Sequence, residues 1–200
     1  PPKLKYLTIA RPFPSSWLKA VNHLRTLETL HVIVSHLGFR VKHINGLTGI
    51  TPQVVSLRLP HTEVDKIDFG ASWISCARSL TLDQATGSLG EKEYMQMPRD
   101  LQELRITGPD LQCELDFSKL PRNISRLTLS IDTQFDDHAV ATLPRSLKYL
   151  EIRGRSCDKL THREGLLPLL SHGISNIYLP SSKHLSMPPS HTSLDQIPIY

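Results

Sequence analysis

Apolar residues recur along this chain in one frame, apolar-x-x-apolar-x-apolar. It reads Leu4-Leu7-Ile9, Leu27-Leu30-Val32, Val54-Leu57-Leu59, Ala77-Leu80-Leu82 and Leu101-Leu104-Ile106. It continues as Ile124-Leu127-Leu129, Leu147-Leu150-Ile152, Ile174-Ile177-Leu179 and Leu194-Ile197-Ile199. Successive starts lie 23, 27, 23, 24, 23, 23, 27 and 20 residues apart. The last two apolar positions of each frame enclose a single residue, and successive side chains of a strand point to opposite faces. Each frame therefore predicts a short strand with one apolar face, and its first apolar residue turns the chain into that strand. The spacers are long enough for the crossover of about a dozen residues that parallel strands need.

The spacers carry a second apolar column. Four positions before the frame stand Ile50, Trp73, Met97, Leu120, Leu143 and Leu170; seven before it stand Ala20, Leu47, Tyr94, Phe117, Val140, Leu167 and Met187. Residues three apart share a helical face, so several spacers are expected to hold a short helix on the side away from the strands. Ser88-x-x-Glu91 and Thr161-x-x-Glu164 fit the capping box. Asp136 or Asp137 and Ser15 or Ser16 stand where other N-caps belong. Pro98, Pro121 and Pro144 push the preceding residue out of helical geometry, and Pro168 within "LLPLL" predicts a short or broken helix. One such unit cannot bury its apolar face alone, so neighbours must stack. The expectation is one α/β solenoid domain over residues 1–200, with about nine strands.

Frame and spacing resemble the leucine-rich repeat, and the resemblance covers essentially the whole chain. It implies a curved parallel β-ribbon on the concave face and short helices or irregular turns on the convex face. One departure is clear. The family places Asn three residues after the last strand aliphatic, whereas this chain has Pro12, Ser35, Thr62, Ala85, Pro109, Asp132, Arg155 and Ser182 there. Amides buried in those turns need other partners. Pro-led repeats such as "LPRSLKYLEI" are similar to the irregular repeats of eukaryotic F-box proteins and of the FNIP group.

No apolar run reaches the 18 residues of a membrane-span candidate. The frame begins at the first residues and continues to the last with no polar cap, although terminal repeats need capping; an excerpt of a longer repeat protein is expected. Cys76, Cys113 and Cys157 are an odd set without a Cys-x-x-Cys pair, which reads as reduced thiols of an intracellular protein, cytoplasmic or nuclear.

Function is expected in the residues that stacking does not need. Strand positions between the aliphatics form outward columns, in which the candidate partner-binding residues are Tyr6, His31, Arg58, Glu103, Arg105, Arg126, Tyr149, Glu151, Arg153 and Tyr178. Arg58 is placed in the middle column, beside His31 and Thr81. Tyr and Arg are enriched in interface hot spots, and the patch from Glu103 to Arg153 is the densest. A net charge of +4 is small for 200 residues, and Asp83, Glu103 and Glu151 interrupt the arginines. Phosphate-dominated binding wants a coherent basic stripe. "SCDKLTHREG" brings Cys157, Asp158, His162 and Glu164 together in one spacer, without the ligand spacing of a structural zinc site. Catalysis, metal and cofactor are not expected. The leading reading is a non-catalytic scaffold that binds a partner protein on the concave strand face. The alternative is the substrate-recognition region of an F-box-type ubiquitin-ligase subunit, with adaptor contacts made by flanks outside this stretch. Nucleic-acid binding ranks third.

Overall fold

Each strand of the main sheet after the first is entered in the same way. The carbonyl of Lys5 accepts hydrogen bonds from the amides of Glu28 and Thr29, and the carbonyl of Glu28 accepts from Gln53 and Val54. The carbonyls of Gln53, Arg78, Gln102, Ser125 and Lys148 repeat this on the next strand, at 2.7 to 3.2 Å. The computed structural model describes residues 3–10, 15–33, 46–58, 63–114, 116–131, 135–153, 160–161, 167–171 and 173–179. Eight strands join in chain order into one parallel sheet: β1 (Tyr6–Ile9), β2 (Thr29–Ile33), β3 (Val54–Arg58), β4 (Ser79–Asp83), β6 (Glu103–Gly108), β8 (Arg126–Ile131), β9 (Tyr149–Arg153) and β10 (Asn176–Tyr178). The two remaining strands, β5 (Gly87–Leu89) and β7 (Leu111–Cys113), lie in the spacers and pair with each other, also in parallel.

The register confirms the frame in seven of the eight strands and corrects it in one. Leu30 pairs with Val55 and Val32 with Leu57, so the third frame is Pro52-Val55-Leu57, two residues earlier than Val54-Leu57-Leu59. Pro52 is buried, Val55 and Leu57 are fully buried, and Val54 is 38% exposed. The starts on either side become 25 residues apart. A two-residue slip keeps every side chain on its own face, so Arg58 still points outward, but it now stands beside Asp83. The ninth frame lies outside the described residues.

Between β2 and β9 all the aliphatic frame residues are buried. At β1 and β10, each paired on one side only among the described residues, Leu4 is 39% exposed and Ile174, Ile177 and Leu179 are half-buried. Behind the sheet run helices Ser15–Val21, Ser72–Ser75, Glu91–Gln96, Asp137–Ala141 and Leu167–Ser171, with single 3-10 turns at Val64–Lys66 and Phe117–Lys119. Ile50, Trp73, Met97, Leu120 and Leu143 of the expected second column are buried, as are Leu47, Tyr94, Phe117 and Val140. Ala20 and Leu167 are exposed, their places in the core taken by Val21 and Leu169.

The caps divide. The Asp136 carboxylate accepts from the Ala139 amide at 2.9 Å, as expected of an N-cap. Ser88 caps nothing, because it belongs to β5. The helix Glu91–Gln96 instead starts at Gly90, whose amide donates to the Glu93 carboxylate at 3.0 Å. Pro168 sits in the first turn of a five-residue helix, where its missing amide costs nothing. In the turn at Ala85, Thr107 of the next strand is the partner: its carbonyl accepts from the Ala85 amide at 2.9 Å and its hydroxyl from the Gln84 amide at 3.2 Å. Gly108 permits this approach, since a Cβ there would stand 2.1 Å from the Ala85 carbonyl oxygen.

Register at the third strand is tested by an isosteric pair. Val55→Thr buries a hydroxyl and is expected to cost about 1–3 kcal/mol, whereas Val54→Thr is expected to stay within about 0.5 kcal/mol. Urea unfolding of the two variants checks this; a larger cost at Val54 than at Val55 would restore the later frame.

Candidate functional site

All ten candidate residues lie on the sheet face opposite the aliphatic core. Tyr6, Arg58, Arg105, Arg126 and Arg153 are exposed, and His31, Glu103, Tyr149, Glu151 and Tyr178 are half-buried. The face does not bring them into one site. Tyr6 and His31, on β1 and β2, are separated from the patch on β6 to β10 by Val54, Ser56, Ser79 and Thr81. Arg58, two residues along from its expected place, pairs across to β4: its Nε lies 3.7 Å from Asp83 and 3.4 Å from the Gln84 side-chain oxygen that accepts from it.

The patch on β6 to β10 is a connected cluster. Cross-strand register sets Glu103 opposite Arg126, Arg126 opposite Tyr149, and Tyr149 opposite Asn176. Glu103 lies 3.4 Å from Arg126 and accepts a hydrogen bond from the Ser79 hydroxyl at 3.0 Å. The Arg126 guanidinium carbon stands 4.3 Å from the centre of the Tyr149 ring, a cation–π contact. Tyr149 in turn meets Tyr178, ring centres 5.5 Å apart and planes tilted by 42°. Its hydroxyl donates to Glu151 at 3.1 Å. Arg153 also donates to Glu151, and the Thr128 hydroxyl does so at 3.4 Å.

These contacts set the local electrostatics. Burial pushes the Glu151 carboxyl up, but hydrogen bonds from Arg153 and Tyr149 and the Arg153 charge outweigh it and hold the group below its ordinary 4.5. The Tyr149 phenol is raised above its ordinary 10.0, first by burial and then by the bond to Glu151. On this face Arg58, Arg126 and Arg153 each have an acidic partner. Arg105, between Thr81 and Thr128 in register, has none among the described residues. Among the described residues the face thus offers paired charges, two adjoining tyrosine rings and one guanidinium without an acidic partner.

Cys113 is buried, 2.9 Å from the Tyr94 hydroxyl, and burial pushes its thiol up to about 11. Such a thiol is a poor nucleophile at neutral pH. Cys157, Asp158, His162 and Glu164 lie outside the described residues. Among the described residues no group of three or more His, Cys, Asp and Glu side chains is placed to hold a metal. No described helix is long and apolar enough to cross a membrane. The sequence reading singles out Pro98, Pro121 and Pro144 but passes over the exposed arginines that follow them, Arg99, Arg122 and Arg145. The signal was a Pro-Arg pair at the same frame position in three consecutive repeats. No protein-family model, curated protein or solved structure matches the chain.

Two measurements test this geometry. With a lowered carboxyl, the Glu151 contribution to stability is complete above its ordinary 4.5 and is lost as pH falls through the lower folded value. Between neutral pH and acid the native chain should therefore lose more stability in urea than Glu151→Gln; parallel losses would mean the linkage is not formed. A thiol reagent at neutral pH should label exposed Cys76 quickly and leave Cys113 unmodified until the chain unfolds, as read by mass spectrometry of the peptides. Equal labelling of both would contradict the buried placement.

Proposed function

We propose that the chain is a leucine-rich-repeat solenoid that recognises a partner protein reversibly on its exposed sheet face, with no chemistry of its own. The observation that carries this reading is the Arg126–Tyr149–Tyr178 stack. Its members are held by cross-strand register and by the Glu103 and Glu151 carboxylates, so little side-chain freedom remains to be lost on binding. Preorganised aromatic and arginine side chains are the usual carriers of interface energy. The repeated strand entry and constant register support the solenoid reading, because each turn is bound chiefly to its neighbours.

The test is affinity capture from a native lysate, followed by binding measurements with the purified partner. Arg126→Ala, Tyr149→Ala and Arg153→Ala are combined in the comparison variant. Losing hot-spot contacts of about 2 kcal/mol weakens binding on the order of thirtyfold, with the fold retained by circular dichroism. A captured partner that binds both proteins equally would remove the sheet face from the interaction. Co-capture of ubiquitin-ligase adaptors would move the reading to substrate recognition within such a ligase.

A further inference from the structure

The turns entering β6, β8 and β9 are built alike. Pro98-Arg99, Pro121-Arg122 and Pro144-Arg145 occupy equivalent places, and the amide three residues after each proline donates back to its carbonyl. Leu101 does so at 3.1 Å, Ile124 at 3.3 Å and Leu147 at 3.0 Å. The turns are also tied to one another: the Asn123 side-chain amide donates to the Arg99 carbonyl at 3.3 Å and the Ser146 hydroxyl to the Ile124 carbonyl at 2.6 Å. Strands fed by these turns lie about 4.8 Å apart, so the three arginines stand one above another along the edge where the strands begin. All three are exposed, and none makes a side-chain hydrogen bond or ion pair with the described residues. A groove of about 470 Å³ opens between the last two turns, with Arg122 and Arg145 in its wall beside Ser118, Thr142 and Ser146. The Thr142 and Ser146 hydroxyls already donate to protein carbonyls, which leaves the two guanidiniums as its strong donors without a partner among the described residues.

We propose that this arginine ladder docks the acidic face of a helix from a partner protein. Three like charges on adjacent rungs repel one another, and carboxylates relieve that repulsion while matching the guanidinium fork. The rung spacing of about 4.8 Å agrees with the roughly 5–6 Å between acidic side chains three or four positions apart on a helix. The edge fits nucleic acid less well, since residues 98–100, 121–123 and 144–146 include no aromatic ring on which a base could stack. This surface is separate from the sheet face, and the inference does not rest on the tyrosine cluster.

The probe is an alanine-based helical peptide with glutamates on one face, beside its glutamine counterpart and an oligothymidylate of equal charge. The glutamate peptide should bind the whole chain, more weakly as salt rises, and the glutamine peptide should not. Arg122→Gln and Arg145→Gln should each lower affinity about tenfold, Arg122→Lys by less because it keeps the charge without the fork, and Tyr149→Ala not at all. Arg99→Gln, Arg122→Gln and Arg145→Gln together should reduce binding to the glutamine-peptide level; the single variants carry the comparison if the triple one fails to fold. A glutamate peptide that does not bind, or that binds these arginine variants as it binds the native chain, overturns the proposal. Tighter, arginine-dependent binding of the oligothymidylate would replace the acidic helix by a nucleic acid.

Discussion

Two neighbouring amides converging on one carbonyl, seven times over, is the constraint on which the rest of the structure depends. The convergence fixes where each strand begins against the strand before it, and a parallel ladder then holds that register to its end. Because the side-chain period of a strand is two, fixing the start fixes which residues face the core. The same aliphatic positions therefore stack strand after strand. The burial of Leu30, Val55, Leu80, Leu104, Leu127 and Leu150, all with no exposed surface, follows from that single repeated geometry.

The same register arranges the outer face. Equivalent positions of adjacent strands are neighbours whether or not their side chains attract, so charge choice at each position decides the surface. Arg58 meets Asp83 and Arg126 meets Glu103 across one strand spacing, while Glu151 and Arg153 meet two residues apart on one strand. The exposed pairs Arg58–Asp83 and Arg126–Glu103 add little stability. Their consequence is local: they neutralise charge on the face, hold Tyr149 in place, and leave Arg105 as the guanidinium of the face without an acidic partner among the described residues.

Strand positions were legible in the sequence because a buried strand face leaves a strict signature. The exception is instructive. Around Val54 two apolar triplets, Pro52-Val55-Leu57 and Val54-Leu57-Leu59, satisfy the pattern, and both place Ser56 and Arg58 outward. Even spacing favours the first, with intervals of 25 and 25 residues in place of 27 and 23, but only hydrogen-bond register decides. The β5–β7 ladder left a fainter trace, since each strand has three residues and one is a glycine at positive φ. Ser88 fitted a capping motif by spacing alone, and strand pairing to Gln112 overrode it. The candidate face was legible as a set of columns; the pairing within it was not, because it depends on side-chain reach across strands.

A net charge of +4 spread over 200 residues says little about partners until pairing is known. On the sheet face most cations are answered by an acid on the next strand or two residues along. On the turn edge the repeat puts proline, arginine and a short polar residue at successive positions, and no described acid pairs with Arg99, Arg122 or Arg145. Asp100 lies next to Arg99 in sequence but forms no ion pair with it. A stacked repeat amplifies whichever residue it carries at a surface position, so one arginine per turn becomes a line of charge at strand spacing. That line is shorter than the sheet: Ser75 and Ile50 occupy the equivalent places in the turns before β4 and β3. Its length of three rungs limits it to a short acidic segment, which is why the edge and the tyrosine-bearing face can serve different partners, or two parts of one.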